Sequence, residues 1–427
     1  MPVTQQEKIF FNTVIAESFT YMLQRSKCGK FLNTKFDVID GTDYTCTADK
    51  SLEFRSKSVI YSWIQGRGAE ALAGHLRAGF GAESAVLEML KNVVENMEKV
   101  RENNQGRMFF MFSEAGKFLN GDLSTRVEPL EGKANYSDLF YSKGLVAAAD
   151  VLQDKTLLKA ALSYFKRTLQ AIWNLEFVTD QQAFDPKNPV TAVPGKILQG
   201  PFMIALGGIA FAAELTGDEE FLEYGKKFID RLLTLHTVYK PDKVQFFEAV
   251  TPENTPYIDN NGQLCDPGHA LEFVGLSMKF LLVLEKFNRS CDQEFLARCR
   301  KVYPAFFTSH YAVGRQLPAG GIIKSCDLLS GKVINSDMPW WSLPETIRAA
   351  ALLEKFCNMD NTQIIQECAG SFRDYFVNPD QHYFAYQTCD KSGNPVRVIP
   401  AVPDLDPGYH TNLSLIDVLK TSVPDKV

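Results

Sequence analysis

No two of the nine cysteines in this 427-residue chain stand in C-x-x-C spacing. That excludes a zinc ribbon and a thioredoxin-like redox motif, and an odd, scattered set reads as free thiols in a reducing compartment. Long apolar runs are also missing. None approaches the eighteen residues that a membrane-spanning helix needs, so no membrane partner is expected. The opening MPVTQQEKIFFNTV has no basic segment followed by an apolar one. No secretory signal is therefore expected, and the cytoplasm is the expected location. Basic charge is not in excess: the formal net charge is −6, which argues against a nucleic-acid partner. No G-x-x-x-x-G-K-[ST] loop encodes nucleotide binding of that kind. No Pro/Gly/Ser-rich linker or low-complexity tract divides the chain, which reads as one domain over residues 1–427.

What the chain does contain is helical periodicity. Apolar residues recur at helical spacing near 4–25, 58–77, 81–103, 136–152, 155–171, 192–216, 218–237, 267–289, 291–308, 340–357, 360–376 and 408–421. Long loops fall near 104–135, 238–266, 309–339 and 377–407, with β-like runs at Met108 to Phe112, Val244 to Val250 and His382 to Tyr386 that predict short β-hairpins. The helix–short turn–helix–long loop cycle predicts six helical hairpins closed into a ring, so that each hairpin buries its apolar face on its neighbours. An open α-solenoid is the competing architecture. The 136–152 and 192–216 segments are apolar and small almost all round, as inner helices should be. The 81–103 and 218–237 segments carry charged stripes (Glu95, Lys99, Glu102; Lys226, Lys227, Asp230), as outer helices should.

The chain holds six histidines, two of them in nearly repeated settings: Asp266-Pro267-Gly268-His269 and Asp406-Pro407-Gly408-Tyr409-His410. Asp suits an N-cap and Pro the first helical position, which places each histidine in the first turn of a helix. The helix dipole there disfavours the imidazolium, so both are expected neutral near pH 7 and able to exchange protons. Simple packing of two histidines in helix starts is an equally weighted alternative. Glu272 lies three residues past His269 and shares its face. Arg67, following Trp63, is a candidate for binding sugar hydroxyls or a developing oxyanion with its planar fork. The alternative is a surface arginine lying over Trp63. Asp138 and Tyr141, three apart, share a face at the start of the 136–152 helix, although capping by Ser137 or Asp138 explains that segment as well. Trp340 and Trp341 open another helix, with Glu345 one turn beyond; paired indoles suit a sugar face, or equally a core. All these candidates stand at the starts of alternate helices, which in a closed ring meet at one mouth.

Taken in order, W-x-Q-G-R (Trp63 to Arg67), S-x-x-F-Y (Ser137 to Tyr141), P-G-H-A-x-E (Pro267 to Glu272), W-W-x-x-x-E (Trp340 to Glu345) and the late histidine His410 resemble the N-acylglucosamine 2-epimerase (renin-binding protein) family. Its relatives include cellobiose 2-epimerases and aldose–ketose isomerases. The resemblance spans nearly the whole chain and implies an all-α (α/α)6 barrel. It implies a sugar 2-epimerase in which His269 and His410 exchange the C2 proton of a ring-opened N-acylglucosamine-type hexose. Arg67 would steady the enediolate, and Glu272 and Glu345 would steady the histidines or the sugar. Trp63, Asp138, Tyr141, Trp340 and Trp341 would line the sugar site. A small sugar is the implied partner, with no metal and no cofactor; homodimers are common in the family. The chain departs from the family pattern at Ser342 and Leu343 after the tryptophan pair, at Thr411 to Leu413 after the late histidine, and in having no histidine on the 192–216 helix. Three other functions compete: an aldose–ketose isomerase, a glycoside hydrolase using Asp138 and Glu345, and a non-catalytic sugar- or partner-binding protein.

Overall fold

A computed structural model describes residues 3–46, 50–182, 193–260, 262–398 and 401–421. Twelve α-helices form among them. They are α1 (Gln5–Ser26), α2 (Ser62–Arg77), α3 (Glu83–Asn103), α4 (Tyr136–Val151), α5 (Lys155–Trp173), α6 (Gly200–Thr216), α7 (Glu219–Leu235), α8 (Pro267–Lys286), α9 (Gln293–Gly314), α10 (Ser342–Cys357), α11 (Thr362–Ser371) and α12 (Thr411–Thr421).

The even-numbered helices pack in sequence, α2 on α4, α4 on α6, α6 on α8, α8 on α10 and α10 on α12, and α12 returns to α2. The odd-numbered helices back them from outside. This is the all-α (α/α)6 barrel, closed rather than an open solenoid. Composition explains which helix goes where. Helices α4 and α8 are buried on nearly every side, whereas α3 and α7 bury one stripe and expose the rest. Between α2 and α4 the backbones themselves touch. A Cβ on Gly66 would lie 2.8 Å from the Phe140 carbonyl carbon, and one on Gly144 would overlap the Gly66 carbonyl oxygen. Helix α8 has the length and apolarity to cross a membrane, with mean hydropathy 1.3 over its most apolar window, but 83% of that window is buried as an inner wall of the ring.

The pairing departs from six consecutive hairpins in one respect. Five pairs are consecutive, but α12 is backed by α1 from the other end of the chain.

Several helix starts also shift. Val59–Tyr61 forms a strand antiparallel to Met111–Ser113, because Val-Ile-Tyr favours the extended state and the loop offers it a partner. Ile197–Leu198 pairs with Ala249–Val250, so α6 begins at Gly200; residue 192 lies outside the described residues. The tryptophan pair falls in the turn before α10. Gly408 takes φ of +90°, which turns the chain and delays α12 to Thr411. The short strands otherwise tie the long loops over one end of the ring. One of them holds part of the site: Ser325–Asp327 lies between Leu264–Cys265 and Val333–Asn335, with Cys326 opposite Cys265.

Candidate active site

Helix α8 begins as its sequence dictates. Asp266 is the N-cap, Pro267 the first helical residue, and the Asp266 carboxylate accepts the His269 backbone N–H at 3.3 Å. The His269 imidazole lies with Nδ1 2.9 Å from Glu248 Oε2 and 3.5 Å from Asp266 Oδ2. His410 is held in a parallel way although it precedes its helix. The Asp406 carboxylate accepts the backbone N–H groups of Tyr409, His410 and Thr411, and His410 Nδ1 lies 3.0 Å from Glu345 Oε1. Arg348, one turn along α10, forms an ion pair with the other Glu345 oxygen. A carboxylate only accepts, so Nδ1 carries the hydrogen in both histidines and Nε2 is left to act. Neither Nε2 has a hydrogen-bond partner among the described residues.

One indole links the two rings. Trp341 stacks on His269 with centroids 5.3 Å apart and planes 23° apart, and it meets His410 at 5.6 Å. Each imidazole thus contacts the same indole. Glu272 is 3% exposed, carries no hydrogen bond among the described residues, and interacts electrostatically with both histidines. Burial, and then the neighbouring Glu345, push its carboxyl up. Ligand atoms of Glu272, Glu345 and His410 lie within 4.8 Å of one another, a spacing suited to a cation. Arg348 already pairs with Glu345 there, and His410 Nδ1 is engaged on the same carboxylate.

Arg67 projects from α2 into an aromatic box. Its guanidinium carbon is 4.1 Å from the Phe140 ring centroid, 5.5 Å from that of Tyr409 and 5.9 Å from that of Trp63. Its Nε is buried without a partner. Trp340 meets His410 edge to face at 6.3 Å, its indole N–H donating to Thr411 Oγ1 at 3.2 Å. The Trp63 indole N–H donates to Asp180 at 3.2 Å.

Two expected site residues do not join the histidines. The Asp138 carboxylate accepts from Arg107, the Met108 N–H, the Tyr164 hydroxyl and the Asn135 N–H, completing a capping box with Asn135. The Tyr141 hydroxyl donates to the Val94 carbonyl at 3.4 Å, between α4 and α3. They do share a face of α4, but that face looks toward the outer helices. With Asp138 so engaged, the carboxylate pair of the hydrolase reading does not form.

The protonation expectation for His269 also needs correction. Burial lowers its pKa, but the Asp266 and Glu248 carboxylates outweigh burial and lift it to about 9. Two full negative charges beside the ring outweigh the partial positive charge of a helix N-terminus.

Some residues of this neighbourhood escape a motif reading. Glu248, Lys324, Lys143 and Asp180 lie in no quoted motif. Lys143 is fully buried on α4, its ammonium 2.6 Å from the Tyr409 hydroxyl and 2.9 Å from Glu70. A lysine inside an otherwise apolar inner helix demands such partners, and Glu248 inside the apolar Val244 to Val250 run does likewise. Asp180 is 3% exposed and bonds Ser137 and Trp63, and burial raises its carboxyl to about 7. Neither Asp180 nor Lys324 stands out from its loop in the sequence.

Solved structures place this fold. A D-mannose isomerase aligns over 98% of this chain and 100% of its own, with TM-score 0.74 and 14% identity. A sugar epimerase from a ruminal bacterium aligns over 98% and 100%, with TM-score 0.68 and 13% identity. The cellobiose 2-epimerase from Spirochaeta thermophila aligns over 98% and 97%, with TM-score 0.71 and 12% identity. No curated protein sequence matches. The barrel is thus the one used by sugar isomerases and epimerases. The family model for N-acylglucosamine 2-epimerase (GlcNAc 2-epimerase) matches residues 131–411, and the chain belongs to that family of isomerase-class enzymes.

Proposed function

We propose that this protein is a sugar 2-epimerase that inverts C2 of an N-acylglucosamine or N-acylmannosamine-type hexose, with His269 and His410 as the proton-transfer pair. The supporting observation is that two imidazoles, each anchored through Nδ1 on a glutamate, flank one indole.

In the ring-opened sugar the C2 proton is acidic because C2 adjoins the carbonyl. His269 holds its proton at neutral pH and is the donor. His410, with Nδ1–H on Glu345, offers Nε2 as the base. Proton removal on one face and delivery on the other inverts C2, and the pair swaps roles for the reverse reaction. Positioned proton transfer of this kind contributes about 10²–10⁴-fold. The unpartnered N–H groups of Arg67 suit the enediolate oxygen, and Glu272 suits a sugar hydroxyl. This chemistry needs no cofactor. The eight cysteines described as free thiols favour a reducing compartment, the cytoplasm.

The test is incubation with N-acetylglucosamine, N-acetylmannosamine and free hexoses in D₂O, followed by NMR. Epimerisation yields the C2-inverted aldose carrying deuterium at C2. A ketose product would make the protein an aldose–ketose isomerase instead, with the same histidines delivering the proton to C1. Absence of exchange with every sugar, or undiminished exchange in both His269→Gln and His410→Gln, defeats the proposal.

A further inference from the structure

His269 does not have its two carboxylates to itself. Lys324, in the loop segment just before the Ser325–Asp327 strand, places its ammonium 2.6 Å from Asp266 Oδ2. That is the same oxygen that lies 3.5 Å from His269 Nδ1. The Lys324 ammonium is also 5.6 Å from the centroid of the Trp341 ring, the indole that stacks on His269. This is a built arrangement. The antiparallel register that sets Cys326 opposite Cys265 brings the residues before Cys326 alongside the start of α8. The Lys324 backbone N–H is fixed on the Asp337 carbonyl at 2.8 Å.

We propose that Lys324 is a positioning residue: by clamping Asp266 it limits how tightly His269 holds its proton. The inference rests on the reading of His269 as a proton carrier in the reaction.

The charges around His269 are few and known. Asp266 and Glu272 come from its own helix, and Glu248 from the loop after the Val244–Phe246 strand. Lys324 comes from the segment between the Gly321–Ile322 and Ser325–Asp327 strands. From α10 and the turn before it come Trp341 and, beyond it, Glu345, which is committed to His410 and Arg348. Lys324 is the cation paired directly with a carboxylate that also faces the ring. Burial works against its charge, but Asp266, with Glu248 and Glu272, more than compensates and holds the ammonium above its ordinary pKa. It therefore stays charged while His269 titrates. Two effects then act in one direction: the ammonium repels the imidazolium, and it draws on the Asp266 charge that would otherwise serve His269 alone. Without Lys324, an imidazole already lifted to about 9 would be slower still to release its proton. A donor that never lets go cannot donate, so the lysine keeps the pair nearer to balance.

The experiment uses the full chain with ¹³C-labelled histidine. The His269 resonance is assigned by comparison with His269→Gln, and its titration midpoint is followed by NMR from pH 6 to 11. Lys324→Met is expected to raise the midpoint by about one pH unit, the effect of a charge a few ångströms away. Lys324→Arg, which keeps the charge, is expected to leave it near the wild-type value. The pH profile of C2 exchange in D₂O should move with the midpoint, and unfolding temperatures monitor the fold of both variants. An unmoved midpoint in Lys324→Met, or an equal shift in Lys324→Arg, overturns the proposal. A midpoint that moves while the exchange profile stays fixed upholds the clamp and overturns the catalytic reading of His269.

Discussion

At the scale of the residue, the site is a set of polar groups whose partners decide their roles. Glu345 bonds His410 through Nδ1 and is itself held by Arg348. In Glu345→Gln, the amide can face His410 with either its oxygen or its nitrogen, so the tautomer is no longer fixed and the Arg348 pair is lost. The exchange rate should fall about 10²-fold or more, with little change in KM, as read from initial rates of C2 deuteration. Asp180 is a different case. Its carboxyl titrates near pH 7 because it is buried, whereas in the unfolded chain it would ionise near 3.8. Above pH 7 the folded protein holds a buried anion. Asp180→Asn can keep bonds to both Ser137 and Trp63 while removing that charge. It should raise the unfolding temperature at pH 8 relative to the parent, and by much less at pH 5. Equal shifts at both pH values would show that charge is not the cause.

At the scale of the element, close approach of α2 and α4 depends on two glycines. Gly144→Ala would press a methyl group into the Gly66 carbonyl. It should destabilise the fold by about 1–3 kcal/mol, the usual cost of overpacking. Gly370, inside α11, has nothing within 4 Å of the position of an added Cβ. Gly370→Ala should be neutral or stabilising by up to about 1 kcal/mol through helix propensity, and thermal unfolding of the two variants side by side tests both expectations. Elements were also the most legible level of the sequence. The periods of α3, α5 and α7 mark one buried stripe each, and the all-round apolarity of α4 and α6 marks the inner wall. Starts were less legible where another force competed, such as a strand partner at Val59–Tyr61 or the positive φ of Gly408. In the site, the histidines and their Asp-Pro-Gly settings could be read directly. Glu248, Lys324 and Asp180 could not, because their positions depend on loops whose folding over the ring has no local signature. Asp138 and Tyr141 were correctly placed on one face, but periodicity does not say which neighbour that face meets.

At the scale of the whole molecule, the histidines set opposing dependences of stability on pH. Burial depresses His75, His236 and His310 to about 4. The unfolded chain, whose histidines titrate near 6.5, therefore binds more protons than the native one between those values, and stability rises with pH across that window. His269 acts in the other direction. Its folded pKa, about 9, lies above its unfolded value, so its contribution is fully present below pH 6.5 and is lost as pH rises through 9. Asp180, and the Glu272 and Asp138 carboxyls that burial also raises, subtract stability as pH rises through their folded values. His269→Gln should therefore flatten the decline of the unfolding temperature between pH 6.5 and about 9 while leaving the acid limb intact. A decline of equal steepness in His269→Gln would remove His269 as its source.

The backing of α12 by α1 bears on how His269 and His410 come together. His410 directly precedes α12, which leaves the ribosome after the other eleven helices and packs on the one that left first. His269 can be seated as soon as α8 finds its neighbours, but its counterpart waits for the ring to be sealed from both sides. An emerging chain thus carries His269 while residues 270 to 410 are still being made, and gains His410 only as it loses its last open seam.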